Sequence, residues 1–226
     1  NAKFQAYVAD VAAQALASSA ADMDSFMAEK WAKDETLTVK EALSSQISII
    51  GENMNIRRFE KVTCDNGIVV DYIHAGGKIG VLIAAETDNT GAEVVECLKN
   101  VAMQMAAMNP QYLSSDDVSD EYKEREKAVL LAQAKNDPKN ANKPDNIIEK
   151  MIIGRLNKEL KEVCLTEQVY VKAEDGKQSV AQYVAQVAKE NSANIEVKSF
   201  VRFETGEGLE KKQEDFAAEV AAQMNA

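Results

Sequence analysis

One histidine, three cysteines, three prolines and one tryptophan in 226 residues leave this chain short of the side chains most enzymatic chemistry uses. With His74 alone, every metal site needing two imidazoles is excluded, and Cys–His or Ser–His–Asp catalysis has a single candidate base. Cys64, Cys97 and Cys164 are an odd set with no CxxC spacing. That argues against a secreted disulfide scaffold or a zinc ribbon, and for reduced thiols used as small apolar residues in a cytosolic protein. No apolar run approaches the ~20 residues a membrane helix needs. Positive charge is scarce as well: 26 Lys and Arg against 37 Asp and Glu give a formal charge of −11. General nucleic-acid binding relies on cation-rich surfaces that replace condensed counterions, so this charge argues against it. The negative charge first maintains solubility; steering toward a basic partner patch is the second reading.

Nucleotide and acid–base signatures are missing too. Gly76-Gly77-Lys78-Ile79-Gly80 has the glycines and lysine of a phosphate loop, but that loop needs GxxxxGK[ST] between a strand and a helix. Here Ile79 follows Lys78 and strand pattern flanks both sides, which makes the stretch a hairpin turn. Carboxylates are abundant from Asp116 to Glu126 but fall on solvated helical faces, and no pair stands out as general acid and base. Arg57-Arg58 reads as a solvent-facing or ion-paired strand edge, and Met103, Met105 and Met108 as core packing. The residues nominate no cofactor and no metal.

What the chain does contain is helical and strand periodicity in alternating blocks. Phe4, Val8, Val11, Ala12 and Ala15 predict a helix from Phe4 to Leu16 with those residues inward, and Met23 to Trp31 a second amphipathic segment. Thr38-Val39-Lys40-Glu41 is a capping box opening a helix with Val39, Leu43, Ile47 and Ile50 on one face. Gly51 sits where a left-handed residue would close it. Ile56, Phe59 and Val62 among charges then predict a strand from Met54 to Cys64, and Asp65-Asn66-Gly67 a type I′ turn. Ile68–His74 and Lys78–Glu86 alternate as two strands, with Ile79, Val81, Ile83 and Ala85 facing helices. Thr90-Gly91-Ala92-Glu93 reads as another capping box, before a helix with Val94, Leu98, Val101, Met105 and Met108 inward.

From Asp116 the chain becomes highly charged helix. Segments from Ser119 to Lys135 and from Pro144 to Lys161, joined by a polar linker containing Pro138, predict an antiparallel hairpin projecting from the body. Its seam is Ile148, Ile152, Leu156 and Leu160. Ser179-Val180-Ala181-Gln182 caps a further helix through Val187. Asn194–Glu204 is a strand with Ile195, Val197, Val201 and Phe203 on one face, and a last helix carries Phe216, Val220 and Met224.

The expected class is therefore α+β: two related subdomains of small antiparallel sheet packed with helices, a protruding antiparallel helical hairpin and a C-terminal helix. The boundaries are 1–66 for an N-terminal core subdomain, 67–113 with 162–205 for a second, 114–161 for the inserted hairpin and 206–226 for a C-terminal helical module. A weak internal repeat pairs the halves, except that the first has no opening hairpin. The expectation is a core truncated at its amino end, which leaves the Met54–Cys64 strand with an open edge.

Ile50-Gly51-Glu52-Asn53 followed by Ile56-Arg57-Arg58 resembles the signature of the elongation factor Ts family. The likeness recurs in Tyr72-Ile73-His74 with Lys78-Ile79-Gly80-Val81-Leu82, in Met151-Ile152-Ile153-Gly154-Arg155, in Phe203-Glu204-Thr205-Gly206-Glu207-Gly208 and in Asp215 to Ala222. The resemblance implies guanine-nucleotide exchange on the translational GTPase elongation factor Tu, in the cytoplasm, with no bond made or broken by the chain itself. It further implies that Ile50 and Gly51 press on the GTPase domain of elongation factor Tu, that His74 contacts the partner from the other half, and that the last helix around Phe216 and Val220 reaches back to the GTPase domain. A homodimer, or a heterotetramer with the partner, is compatible with the family. The family's Thr-Asp-Phe-Val motif and upstream ubiquitin-associated-like domain have no counterpart here, so binding with weakened exchange is the expectation. Two other classes compete: an assembly module acting through the helical hairpin, and a small-molecule enzyme with a pocket between the halves, for which no cluster of convergent polar groups is found.

Overall fold

The computed structural model describes residues 1–140 and 143–209, so Phe216, Val220 and the expected last helix lie outside the described residues. The chain divides into two units, Asn1–Thr63 and a second beginning at Cys64. The described residues hold seven α-helices and two antiparallel sheets, an α+β protein. None of these helices is long and apolar enough to cross a membrane.

The first unit opens with α1 (Ala2–Ala17), whose first N–H groups are capped by the Asn1 side chain. Its inward face is Tyr7, Gln14 and Ala15; Phe4 and Val8, expected inside, are 44% and 48% exposed. The stripe that wins is the one aimed at the buried rings of Phe26 and Trp31, and Tyr7 tilts against Trp31 at 5.9 Å. The predicted second helix stops early. After α2 (Met23–Ala28) the chain turns into β1 (Lys30–Trp31), paired with β2 (Asp34–Thr38), so Trp31 enters the core from a strand. Buried Gln14 holds that corner, donating from Nε2 to the Lys30 carbonyl at 3.2 Å and accepting the Ala32 N–H at 2.9 Å. The helix α3 (Val39–Ile50) follows.

Beyond it no strand forms over Met54–Cys64. The segment keeps its apolar pattern: Met54, Ile56 and Phe59 pack on the core, and Phe59 lies 4.8 Å from Phe26. Side-chain periodicity selects a face; it does not supply the hydrogen-bonding neighbour that makes a ladder.

In the second unit β3 (Gly67–His74), β4 (Ile79–Thr87), α4 (Ala92–Met108), α5 (Asp120–Asn136), α6 (Asp145–Val163), α7 (Val180–Glu190) and β5 (Ile195–Glu204) follow in order. The sheet is ordered β3-β4-β5 and antiparallel throughout. Val81, Ile83 and Ala85 of the central strand face α4, whose Val94, Leu98, Val101 and Met105 are fully buried. Met108, expected in that row, is 50% exposed at the last turn.

Three local expectations are corrected. Asn66 and Gly67 have no positive φ, so no type I′ turn forms; Gly67 is required because a Cβ there would run into the Ala85 carbonyl of the neighbouring strand. The Thr90 capping box does not form: Gly91 is the N-cap, and the Asn89 side chain accepts its N–H at 2.8 Å. In β5 the register shifts by a residue at Lys198, with Ser199 opposite Ala84 and Val197 opposite Ala85. The bulge reverses the alternation beyond it. Phe200 and Arg202 therefore join Ile195 and Val197 on the helix side, and Val201 and Phe203 move to the opposite face from the one expected. Arg202, its side chain 10% exposed, is held there by Glu204 at 2.7 Å.

The helical hairpin carries its own core. Ile148, Ile152, Leu156 and Leu160 of α6 are buried with Leu130 and Ala134 of α5, and Val118 and Cys164 close the lower end. At the turn, buried Asn140 donates to the Ala134 carbonyl at 3.0 Å and accepts from Lys143 Nζ at 2.8 Å.

Candidate partner interface

Ile50 and Gly51 terminate α3, and the helix is fixed at both ends. At the start Thr38 Oγ1 accepts the Glu41 N–H at 3.2 Å and the Glu41 carboxylate accepts the Thr38 N–H at 2.7 Å, the reciprocal pair the sequence predicts. The Thr38 N–H, and after it the Thr38 hydroxyl, hold the Glu41 carboxyl below the usual carboxylate range. Val39, Ala42 and Leu43 bury the first turns. At the finish Gly51 adopts φ 79°, ψ 15° and donates its N–H to the Ile47 carbonyl at 2.8 Å. Apart from its chain neighbours, no atom lies within 4 Å of where a Cβ would stand, so the glycine answers to backbone conformation, not to crowding.

The result is a capped helix end with apolar side chains at the surface: Ile49 is 53% exposed, Ile50 half-buried, and Gly51 and Glu52 exposed. Ile49 belongs to this tip although the helical spacing points only to Ile50; exposure, not periodicity, distinguishes it.

His74 sits on the second unit, as the last residue of β3. The connection to β4 needs three successive left-handed residues, Ala75, Gly76 and Gly77, with φ 50°, 66° and 95°. Two of them are glycine, which adopts such angles without steric cost. The turn closes on the His74 carbonyl, which accepts the N–H groups of Gly77 and Lys78, each at 3.1 Å. Tyr72, two residues earlier and on the same face of the strand, brings its Oη within 3.0 Å of His74 Nδ1. Period-two spacing in the sequence puts Tyr72 and His74 on one face, but only the fold brings the two rings into contact. Ile73 points to the other face and is 62% exposed.

The structure therefore brings Ile50 and Gly51 together at one helix end and places His74 on a hairpin turn of the other unit. Among the described residues no group of three or more His, Cys, Asp or Glu could hold a metal ion. The buried thiols of Cys97 and Cys164 are both pushed up to about 11, by desolvation first, which disfavours the thiolate a nucleophile requires. What the described surface offers is geometry: a rigid helix end and a rigid turn.

A family model described as Elongation factor TS matches residues 1–207. The chain is 49% identical over 224 residues to elongation factor Ts of Clostridioides difficile (strain 630), covering 99% of this chain and 71% of that protein. It is 42% identical over 225 residues to the protein of the same name from Clostridium botulinum (strain ATCC 19397 / Type A), covering 100% and 71%. For Clostridium novyi (strain NT) the identity is 44% over 225 residues, with 100% and 72% covered. A match that runs from α1 to the turn after β5, through the end of α3 and the β3–β4 turn, makes this chain a member of the elongation factor Ts family.

Proposed function

We propose that this chain is a guanine-nucleotide exchange factor of translation elongation, which binds the GTPase elongation factor Tu and promotes release of its GDP. The observation that carries this reading is the chain-long family match, which takes in the capped end of α3 and the β3–β4 turn. An exchange factor needs no nucleophile. It needs to bind the nucleotide-free GTPase more tightly than the loaded one, and by linkage that preference lowers nucleotide affinity by the same factor.

Rigidity matters for this task, because a surface that yields on contact transmits no displacement. α3 is fixed at its start by a capping box and at its Ile50 end by a left-handed glycine, and His74 by the two N–H groups that close its turn. In this reading Ile50 and Gly51 press on helices of the GTPase domain near its nucleotide site, and His74 engages the partner separately. Phe216 and Val220 supply a third contact from the C-terminal module. The segment 114–161 is then an insertion in a second core subdomain, and the chain acts in the cytoplasm as a homodimer or as a heterotetramer with the partner.

The linkage itself is the test. Calorimetric titration of the chain into nucleotide-free and GDP-loaded elongation factor Tu gives two affinities. Their ratio is expected to equal the drop in GDP affinity measured independently in saturating chain. Equal affinity for the two GTPase forms would remove the thermodynamic basis for exchange.

A further inference from the structure

Tyr72 and His74 lie on the face of β3 that turns toward α4, with Tyr72 opposite Val81 and His74 opposite Ile79. Tyr72 packs partly buried against the core of the sheet and α4, so its ring is anchored and its hydroxyl has a fixed origin. From there Oη reaches His74 Nδ1 at 3.0 Å, with ring centroids 5.8 Å apart and tilted by 32°. The backbone of His74 is fixed independently by the turn, through its carbonyl. The imidazole is thus held at one ring nitrogen by a group that the core keeps in place.

Which nitrogen of a neutral imidazole carries the proton is set by the bond the other makes. A phenol is a good donor and its oxygen a poor acceptor, whereas a bare imidazole nitrogen is a good acceptor. We propose that Tyr72 is a positioning residue for the interface: its O–H donates to Nδ1, leaves the proton on Nε2, and so makes His74 an oriented N–H donor toward the partner. The matching group on the GTPase is then an acceptor, a backbone carbonyl, an amide oxygen or a carboxylate. This inference rests on the reading of His74 as a partner contact; the tautomer does not.

His74 is the only histidine in the chain, so a long-range ¹⁵N–¹H spectrum of the ¹⁵N-labelled chain with the ring neutral contains one imidazole. The expected wild-type pattern has a pyridine-type δ1 and a pyrrole-type ε2 nitrogen. In Tyr72→Phe, which keeps the ring in the core, both resonances are expected to move toward the exchange-averaged position. A protonated δ1 in the wild type, or an unchanged pattern in Tyr72→Phe, overturns the tautomer assignment. In titrations with nucleotide-free elongation factor Tu, Tyr72→Phe is expected to weaken binding roughly three- to tenfold, the worth of one hydrogen bond. In a His74→Ala background the same change is expected to cost nothing further. An equal loss in both backgrounds overturns the positioning role. A wild-type chain that ignores the GTPase overturns the partner assignment, and the ring resonances still decide the tautomer.

Discussion

Replacing Gly51 separates the two demands placed on the end of α3. Its backbone sits at φ 79°, ψ 15°, a region that costs a residue with a Cβ about 1–2 kcal/mol. Because nothing in the free chain beyond the two adjacent residues lies within 4 Å of that Cβ position, no clash adds to the conformational cost. Gly51→Ala is therefore expected to lose about 1–2 kcal/mol of stability. With a urea dependence of about 1–3 kcal/mol per molar, that moves the unfolding midpoint of the first unit by roughly 0.3–2 M. Gly51→Asn, whose side chain tolerates the left-handed region, is expected to lose less, and Gly51→Val more. All three stay mostly folded in buffer if the unit has ordinary stability, so their binding can be compared directly. If the helix end presses on the GTPase, even the small Ala Cβ enters the contact, and affinity falls further than the folded fraction accounts for. A Gly51→Ala chain as stable as wild type would refute the conformational argument. Unchanged affinity in Gly51→Ala and Ile50→Ala together would refute the contact.

Three further outcomes follow from other parts of the fold. Gln104, fully buried in α4, donates to Gln168 Oε1 and the Val169 carbonyl and accepts the Val171 N–H. Gln104→Leu strands those groups and is expected to cost about 2–4 kcal/mol in urea denaturation, since each buried unsatisfied group costs about 1–3 kcal/mol and Val169 and Val171 can partly rehydrate. Asp88 accepts from the backbone N–H and side chain of Asn194, which hold its carboxyl below the ordinary 3.8. A depressed carboxyl stabilises above its unfolded value and loses that contribution as pH falls through the folded one. The stability gap between wild type and Asp88→Asn is therefore expected to be present at neutral pH and to close below about pH 4, followed by thermal unfolding across that range. Ile152→Ala in the hairpin seam is expected to cost about 2–3 kcal/mol, read as faster amide exchange over α5 and α6 with β3 and β4 unchanged.

The elements legible in the sequence are those whose signals are local. The boxes at Thr38 and Ser179 both form, because each needs only a hydroxyl and a carboxylate or amide three residues apart. The seam at Ile148, Ile152, Leu156 and Leu160 is equally local, one helix repeating its apolar spacing. Thr90 shows the limit: the right residue types stood at the right spacing, but Asn89 took the Gly91 N–H and the helix started one residue later. Non-local facts were not legible. The bulge at Lys198 that moves Val201 and Phe203 to the opposite face depends on how β5 meets β4. The Met54–Cys64 segment has strand pattern without a ladder. The left-handed close at Gly51 was legible from its place after an apolar stripe, and the strand end at His74 from the glycines that follow it. Tyr72 became evident only once the ring distance was in hand.

The most direct test of the exchange reading is kinetic. Elongation factor Tu loaded with fluorescent GDP is mixed in a stopped flow with excess unlabelled GDP and increasing amounts of this chain. The account predicts that the release rate climbs with chain concentration and that Ile50→Ala and Gly51→Ala flatten the climb. A release rate that stays at its intrinsic value, at chain concentrations where binding to the GTPase is saturated, would contradict it.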